Sequence, residues 1–306
     1  MLKKEKSSFT SLVASFSRAY HSQYDQPKIF NDFIAKELIT PSEYKAIKTN
    51  MIQGVQFFNK EIAEKLKNDE DEILKWIIQT QLSPTPLARA AYCEQILLHE
   101  LNLGVKQYVI LGAGLDTFSF RHPELQKVLD IFEIDHPATQ AFKRRRLTEV
   151  HLKLPPNLYF FPMDFTQLPS GSLLAKTGIN RYEKTLFSLL GVTYYLTKEE
   201  IGNLISHLFA YAPAGSSIIF DYADENLFSE KGYSNRVKNM VNMAAASGEP
   251  MRSCFSYHEL EQMLEKSNLL IYEYLSPACI HKRFFENRSD YLSAFETIHY
   301  VHAVKS

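Results

Sequence analysis

The chain is 306 residues long, 45% hydrophobic and 23% charged, with a formal net charge of -1. That composition suits one large globular core with decorations, and the balanced charge argues against a general electrostatic partner such as nucleic acid or a membrane surface. The three cysteines, Cys93, Cys254 and Cys279, are odd in number, far apart and without a CxxC pair. No disulfide framework or metal-ligand spacing follows from them, no metal is expected, and a reducing compartment is.

The N-terminus is basic, but residues 7–20 alternate polar and apolar side chains instead of forming an unbroken apolar core. No stretch approaches the roughly 20 apolar residues that span a bilayer, so a cytoplasmic location is expected. Residues 1–104 read as an N-terminal helical cap, because Leu12, Phe16, Ala19 and later Ile73, Trp76, Ile77 recur at intervals of three and four. Pro27, Pro41, Pro84 and Pro86 are expected to break these helices. A helix over 87–103 then stops at Gly104 and leads into a sheet.

Residues 105–306 change character, with short apolar runs alternating with helical patterns around what should be a parallel sheet. Strands are predicted at 108–111, 128–134, 159–163, 185–190 and 216–220, the last running into Asp221, with helices at 137–151 and 197–211. Residues 222–255 are polar with a helical centre at 237–246, too long for an ordinary connection, and read as an insertion or lid. Ser256 followed by Glu259 marks a capped helix. Strands at 269–275 and 298–304 close the sheet as a hairpin pair, with 281–290 as a polar excursion between them. The predicted class is α/β, a doubly wound, mostly parallel seven-stranded sheet, and 1–306 reads as one structural domain.

The chemistry concentrates at the strand ends. Gly112 and Gly114, in Leu111-Gly112-Ala113-Gly114-Leu115-Asp116-Thr117, let the backbone approach a ligand and point amide groups at it. A dinucleotide fingerprint would place glycine or alanine where Thr117 stands, which disfavours an NAD-linked oxidoreductase. Asp135 lies 21 residues after Gly114, suited to accept from both hydroxyls of a ribose; the competing reading is a helix cap for the segment starting at Pro137. Glu133 is expected to point to the opposite face of the strand, so that only one of the two can face a ligand, and Asp135, at the tip, is the candidate. Asp164 and Phe165 offer an acceptor for an adenine amine and a ring for its face, with a helix cap as the alternative. The basic run Lys143 to Arg146 has no interleaved aromatics and reads as a solvated helix face.

Taken with Phe120-Arg121, Glu133-Ile134-Asp135-His136-Pro137, the run Lys143 to Leu147, Gly191-Val192-Thr193-Tyr194-Tyr195-Leu196-Thr197 and Gly248-Glu249-Pro250, the glycine loop resembles the leucine carboxyl methyltransferase superfamily, including bacterial polyketide-type O-methyltransferases. The resemblance implies a class I methyltransferase fold that binds S-adenosylmethionine. By position, Gly112 and Gly114 would line the methionine part, Asp135 the ribose, Asp164 and Phe165 the adenine, and Arg89 would pair with the cofactor carboxylate. Leu190 stands where many members carry glutamate, removing a polar contact, and is expected to line the cofactor site through its backbone or side chain.

Methyl transfer from a sulfonium needs alignment and exclusion of water more than acid-base help, although a hydroxyl acceptor benefits from a base. No residue pair in the sequence fixes a base. Tyr195 matches a family tyrosine and is the candidate for positioning an acceptor oxygen; Arg252, His281 and Arg283 are further candidate acceptor contacts. The expected activity is O-methylation of a carboxylate or a hydroxyl of a small molecule such as a secondary metabolite, with a protein C-terminal carboxyl methyltransferase and a cofactor-binding inactive partner protein as alternatives.

Overall fold

The structure, a computed structural model, describes residues 6–167 and 177–306, with side chains from residue 10 onward. In chain order the strands are β1 (Gln107–Leu111), β2 (Asp130–Asp135), β3 (Leu158–Pro162), β4 (Thr185–Leu189), β5 (Ser217–Ala223), β6 (Leu269–Leu275) and β7 (Ile298–Lys305). They form one seven-stranded sheet in the order β3-β2-β1-β4-β5-β7-β6. The first five are parallel, and β7 inserts antiparallel between β5 and β6. The predicted α/β class and sheet are therefore present. Every residue of β1, β4 and β5 is buried, which explains why they read as unbroken apolar runs: both faces are covered.

Alternation along β1 sends Tyr108 and Ile110 into one hydrophobic cluster and Val109 and Leu111 into another on the opposite face. Helix α6 (Pro84–Asn102) supplies Leu87, Ala91 and Leu97 to the first. To the second, helix α9 (Lys198–Phe209) supplies Ile201 and Ile205, and helix α11 (Tyr257–Glu265) supplies Leu260. A third cluster lies under the N-terminal helices α1 (Lys6–Tyr24), α2 (Pro41–Gln53), α3 (Val55–Phe58), α4 (Lys60–Lys65) and α5 (Glu70–Ile77), where Phe16 and Trp76 meet Leu115 and Leu147, and the short α7 (Phe118–Arg121) follows β1. Among the described residues no helix is long and apolar enough to cross a membrane.

Several boundaries moved for physical reasons. Pro84 and Pro86 do not break α6 but open it, since N–H groups of a first helical turn have no intrahelical acceptor to lose. Strand β2 starts at Asp130 because residues 125–129 turn back, with Leu129 N donating to Leu125 O at 3.1 Å, and Val128 is left exposed. Strand β5 continues through Asp221 to Ala223, paired with β7, so the first residues of the expected lid belong to the sheet. The rest of that segment carries α10 (Arg236–Ser247), which stops at the left-handed Gly248. The excursion before β7 holds α12 (Pro277–Phe284), capped by Ser276. The Ser256 and Glu259 pair forms the expected reciprocal cap of α11.

Two expectations around β2 are corrected. Residues two apart share a face of a strand, so Glu133 and Asp135 point to the same side; they differ in depth, Glu133 lying inside the strand and Asp135 at its end. The basic run on α8 (Pro137–Glu149) is not one solvated face. Lys143 and Arg146, one helical turn apart, are buried, whereas Arg144 and Arg145 are exposed. Lys143 Nζ lies 2.5 Å from Glu133 Oε2 and donates to Asp116 O at 2.7 Å, and Arg146 Nη2 reaches Glu43 Oε1 at 2.6 Å. Burial lifts the Glu133 carboxyl to about 7 against the pull of Lys143. Removing one partner of a buried ion pair strands the other charge. Lys143→Met should therefore cost about 3–5 kcal/mol in urea unfolding, while Arg145→Ala should stay within about 0.5 kcal/mol.

Candidate functional site

Past β1 the chain turns at Gly112 (φ 73°) and Gly114 (φ 51°), backbone angles that favour glycine. A Cβ on Gly112 would lie 2.3 Å from Val192 Cγ2, so the tip of β4 packs directly on this bare turn. Gly112 N donates to Ile134 O at 2.7 Å, and Gly114 N donates to Asp135 Oδ2 at 2.5 Å. The other carboxylate oxygen of Asp135 accepts from His136 N at 2.6 Å. Burial raises the Asp135 carboxyl above its ordinary range even though these two amides act to lower it. Asp135 is not the cap of α8: His136 is, its Nδ1 accepting from Ala138 N.

Buried and partly buried groups hold this loop in place from outside. Lys143 grips Asp116 O from α8, and Arg18 Nη2 of α1 donates to Leu115 O at 2.8 Å. Thr117 Oγ1 donates to Asp32 Oδ1 at 2.6 Å, and Asp32 also receives Arg18 Nε at 2.8 Å. Burial by itself would raise the Asp32 carboxyl, but Arg18 and Arg121 hold it below the usual carboxylate range. The residue that broke the dinucleotide pattern thus anchors the loop to an acid far upstream.

The tip of β4 is organised by Asp221, which has no solvent exposure. It accepts from Gly191 N at 2.6 Å, from Arg89 Nη1 at 2.9 Å and from the Tyr194 hydroxyl. Gly191 (φ 72°) lets the guanidinium lie on the backbone, since a Cβ there would be 2.4 Å from Arg89 Nη2. Arg89 therefore already has a protein carboxylate on one of its nitrogens, which the sequence did not anticipate. Tyr194 is turned inward to Asp221, and of the two tyrosines only Tyr195 lines the cavity. Burial pushes the Tyr195 hydroxyl up to about 12, helped by the nearby Glu249.

A cavity of about 740 Å³ opens over the carboxyl ends of β1 to β4, at the point where strand order reverses and open sheets bind ligands. Arg89, Gly112, Gly114, Asp135, Asp164, Phe165, Leu190 and Tyr195 all line it. Asp164 Oδ1 accepts from both the amide and the hydroxyl of Thr166 in a tight turn, and the chain that follows at 168–176 lies outside the described residues. Arg252 lines the cavity, but His281 and Arg283 do not; Arg283 pairs with Glu273 and Gln95 instead. Sequence reasoning missed Ser11, Ala14 and Arg18 of α1 and Asp32, which wall one side, because nothing local marks them. Asp221 did carry a signal, an acid in a strand-ending run. Among the described residues no group of three or more histidines, cysteines, aspartates or glutamates is arranged to hold a metal. Gly112→Ala should lower the melting temperature and weaken nucleoside binding at least tenfold in calorimetry; a second change, Val192→Ala, should recover part of the stability by clearing the 2.3 Å approach.

Known proteins place this chain in a family. YktD of Bacillus subtilis (strain 168), provisionally named an S-adenosyl-L-methionine-dependent methyltransferase, is 62% identical over 304 residues, covering 99% of this chain and all of that protein. A provisionally named methyltransferase of Mycolicibacterium gilvum (strain PYR-GCK) is 31% identical over 134 residues, 44% of this chain and 54% of its own length. Among solved structures, a DUF574 family protein from Streptomyces avermitilis MA-4680 superposes with a TM-score of 0.55 over 95% of this chain and 97% of its own, at 13% identity, a likeness of fold. Residues 11–209 match the family model described as leucine carboxyl methyltransferase, and the chain belongs to that family.

Proposed function

We propose that the protein transfers a methyl group from S-adenosylmethionine to an oxygen of a small molecule. The observation that carries this is a cavity that joins a glycine turn at the end of β1, a clamped acid at the end of β2 and a tyrosine beyond β4. The residues present fit the cofactor. Gly112 and Gly114 give a bare backbone turn on the cavity wall, where a Cβ would run into Val192 and Ser11, and the carboxylate of Asp135 at the end of β2 suits the hydroxyls of a ribose. Asp164 and Phe165 at the end of β3 suit the adenine. Arg89 keeps further N–H groups for a carboxylate beside the one given to Asp221.

When bound, the cofactor supplies a methyl group activated by the positive charge on sulfur. The chain's own residues supply orientation and dryness. Leu190 and Val192 present apolar surface at the end of β4, and Ala14 of α1 and Pro250 add apolar lining. Excluding water in this way prevents hydrolysis and strengthens the polar contacts inside. Tyr195, with a hydroxyl that stays protonated near neutral pH, can donate to an acceptor oxygen and hold it in line. A cavity of about 740 Å³ walled by α1 and residues 248–252 favours a small molecule over the terminus of a folded protein.

In calorimetry, S-adenosylhomocysteine should bind and NAD should not. Asp135→Ala should weaken binding of S-adenosylhomocysteine at least tenfold, about 1.4 kcal/mol. Binding of NAD without S-adenosylhomocysteine, or unchanged affinity in the variant, would overturn the reading or the ribose assignment respectively.

A further inference from the structure

The acids that line the cavity are not equally available. Asp32 is held by Arg18, Arg121 and Thr117; Asp116 accepts from Phe118 N; Asp135 accepts from two amides; Asp164 accepts from Thr166 twice. Glu249 differs in both place and partners. It follows the left-handed Gly248 at the end of α10 and lines the cavity within electrostatic reach of Tyr195. Its Oε2 accepts from Thr10 Oγ1 of α1 at 2.9 Å, and among the described residues no cation pairs with it.

The one cation on the same stretch is occupied elsewhere. Arg252 is anchored by its own amide, which donates to Tyr194 O at 2.6 Å, and its guanidinium turns out to Glu200 at 3.1 Å. Arg89, the other cation on this wall, faces Asp221. Among the charges of the described residues, that of Glu249 acts most strongly on the Tyr195 hydroxyl, ahead of Arg89 and Asp221, and Glu249 keeps an oxygen for which the described residues offer no donor. A carboxylate acceptor placed beside Tyr195 would face like charge across a partly desolvated gap, whereas a hydroxyl would find both an acceptor for its proton and a donor for its oxygen.

Resting on the methyltransferase reading above, we propose that Glu249 is the acceptor-binding acid of the transfer site and that the acceptor presents a phenol or alcohol hydroxyl to it. Glu249 takes the hydroxyl proton as the acceptor oxygen forms its bond to the methyl carbon and the carbon–sulfur bond breaks, its electron pair passing to sulfur. The products are a methyl ether, neutral S-adenosylhomocysteine and a protonated Glu249 that returns its proton to water. The sulfonium charge and the carboxylate charge are cancelled in one step, so no charge is left in the cavity by the transfer itself.

The test is a binding measurement on protein saturated with S-adenosylhomocysteine, titrated near pH 7 with catechol and with benzoate, two single-ring probes of similar size. Catechol should bind at least tenfold more tightly than benzoate. Glu249→Gln and Glu249→Ala should each weaken catechol at least fivefold and narrow or reverse the preference, with affinity for S-adenosylhomocysteine changed less than twofold. Equal or tighter binding of benzoate, no binding of either probe at millimolar concentration, or a preference untouched in a folded Glu249 variant overturns the proposal. Should neither variant fold, the comparison of the two probes on the unmodified protein decides it. Failure of S-adenosylhomocysteine to bind the unmodified protein overturns the methyltransferase reading instead, and the two failures are read from separate titrations.

Discussion

A carboxylate with no access to water is the constraint on which the site depends. Asp221 sits in the middle of β5, and ionised carboxylates are held in such places only when donors replace the lost hydration. Three do so from three elements: the guanidinium of Arg89 on α6, the amide of Gly191 after β4 and the hydroxyl of Tyr194 in the following turn. Satisfying one buried charge thus pins a helix, a strand tip and a turn to the same atom pair. Leu190, Gly191 and Tyr195 take their places along the cavity as a consequence, and the bare backbone of Gly191 is what lets the guanidinium come close enough.

The opposite wall follows a similar logic with other groups. The glycine turn is held by Lys143 from beneath and by Arg18 and Asp32 from α1 and the segment after it. Each of these groups spends its charge on a protein partner, so the cavity inherits position from them and keeps little of their net charge. That matters for transfer chemistry, in which a sulfonium loses its charge as the methyl leaves. Against such fixed, already neutralised walls, Tyr195 and Glu249 are the groups that, on the proposals above, discriminate among acceptors.

Helix α1 links the two walls. Arg18 touches the glycine turn and Thr10 touches Glu249 beyond α10, so the helical cap is part of the site and not only a support for it. Residues of α1 and of the stretch 248–252 line the cavity together with the strand ends, which separates this arrangement from a sheet whose ligand crevice is shaped by strand-end loops alone.

The sequence by itself determined the parts that depend on neighbours in the chain. The glycine turn, the acid at the end of β2, the buried parallel strands and the capped start of α11 were legible because each is a local pattern of conformation or burial period. Tertiary structure alone decided which charges were free. Arg89 meets Asp221 across 132 residues, and Thr10 meets Glu249 across 239; the basic run on α8 splits into buried and exposed halves because Glu133 and Glu43 wait on one side of it. A residue's type states the charge it carries, but its availability to a ligand depends on which distant partner the fold brings within about 3 Å, the range over which such bonds form.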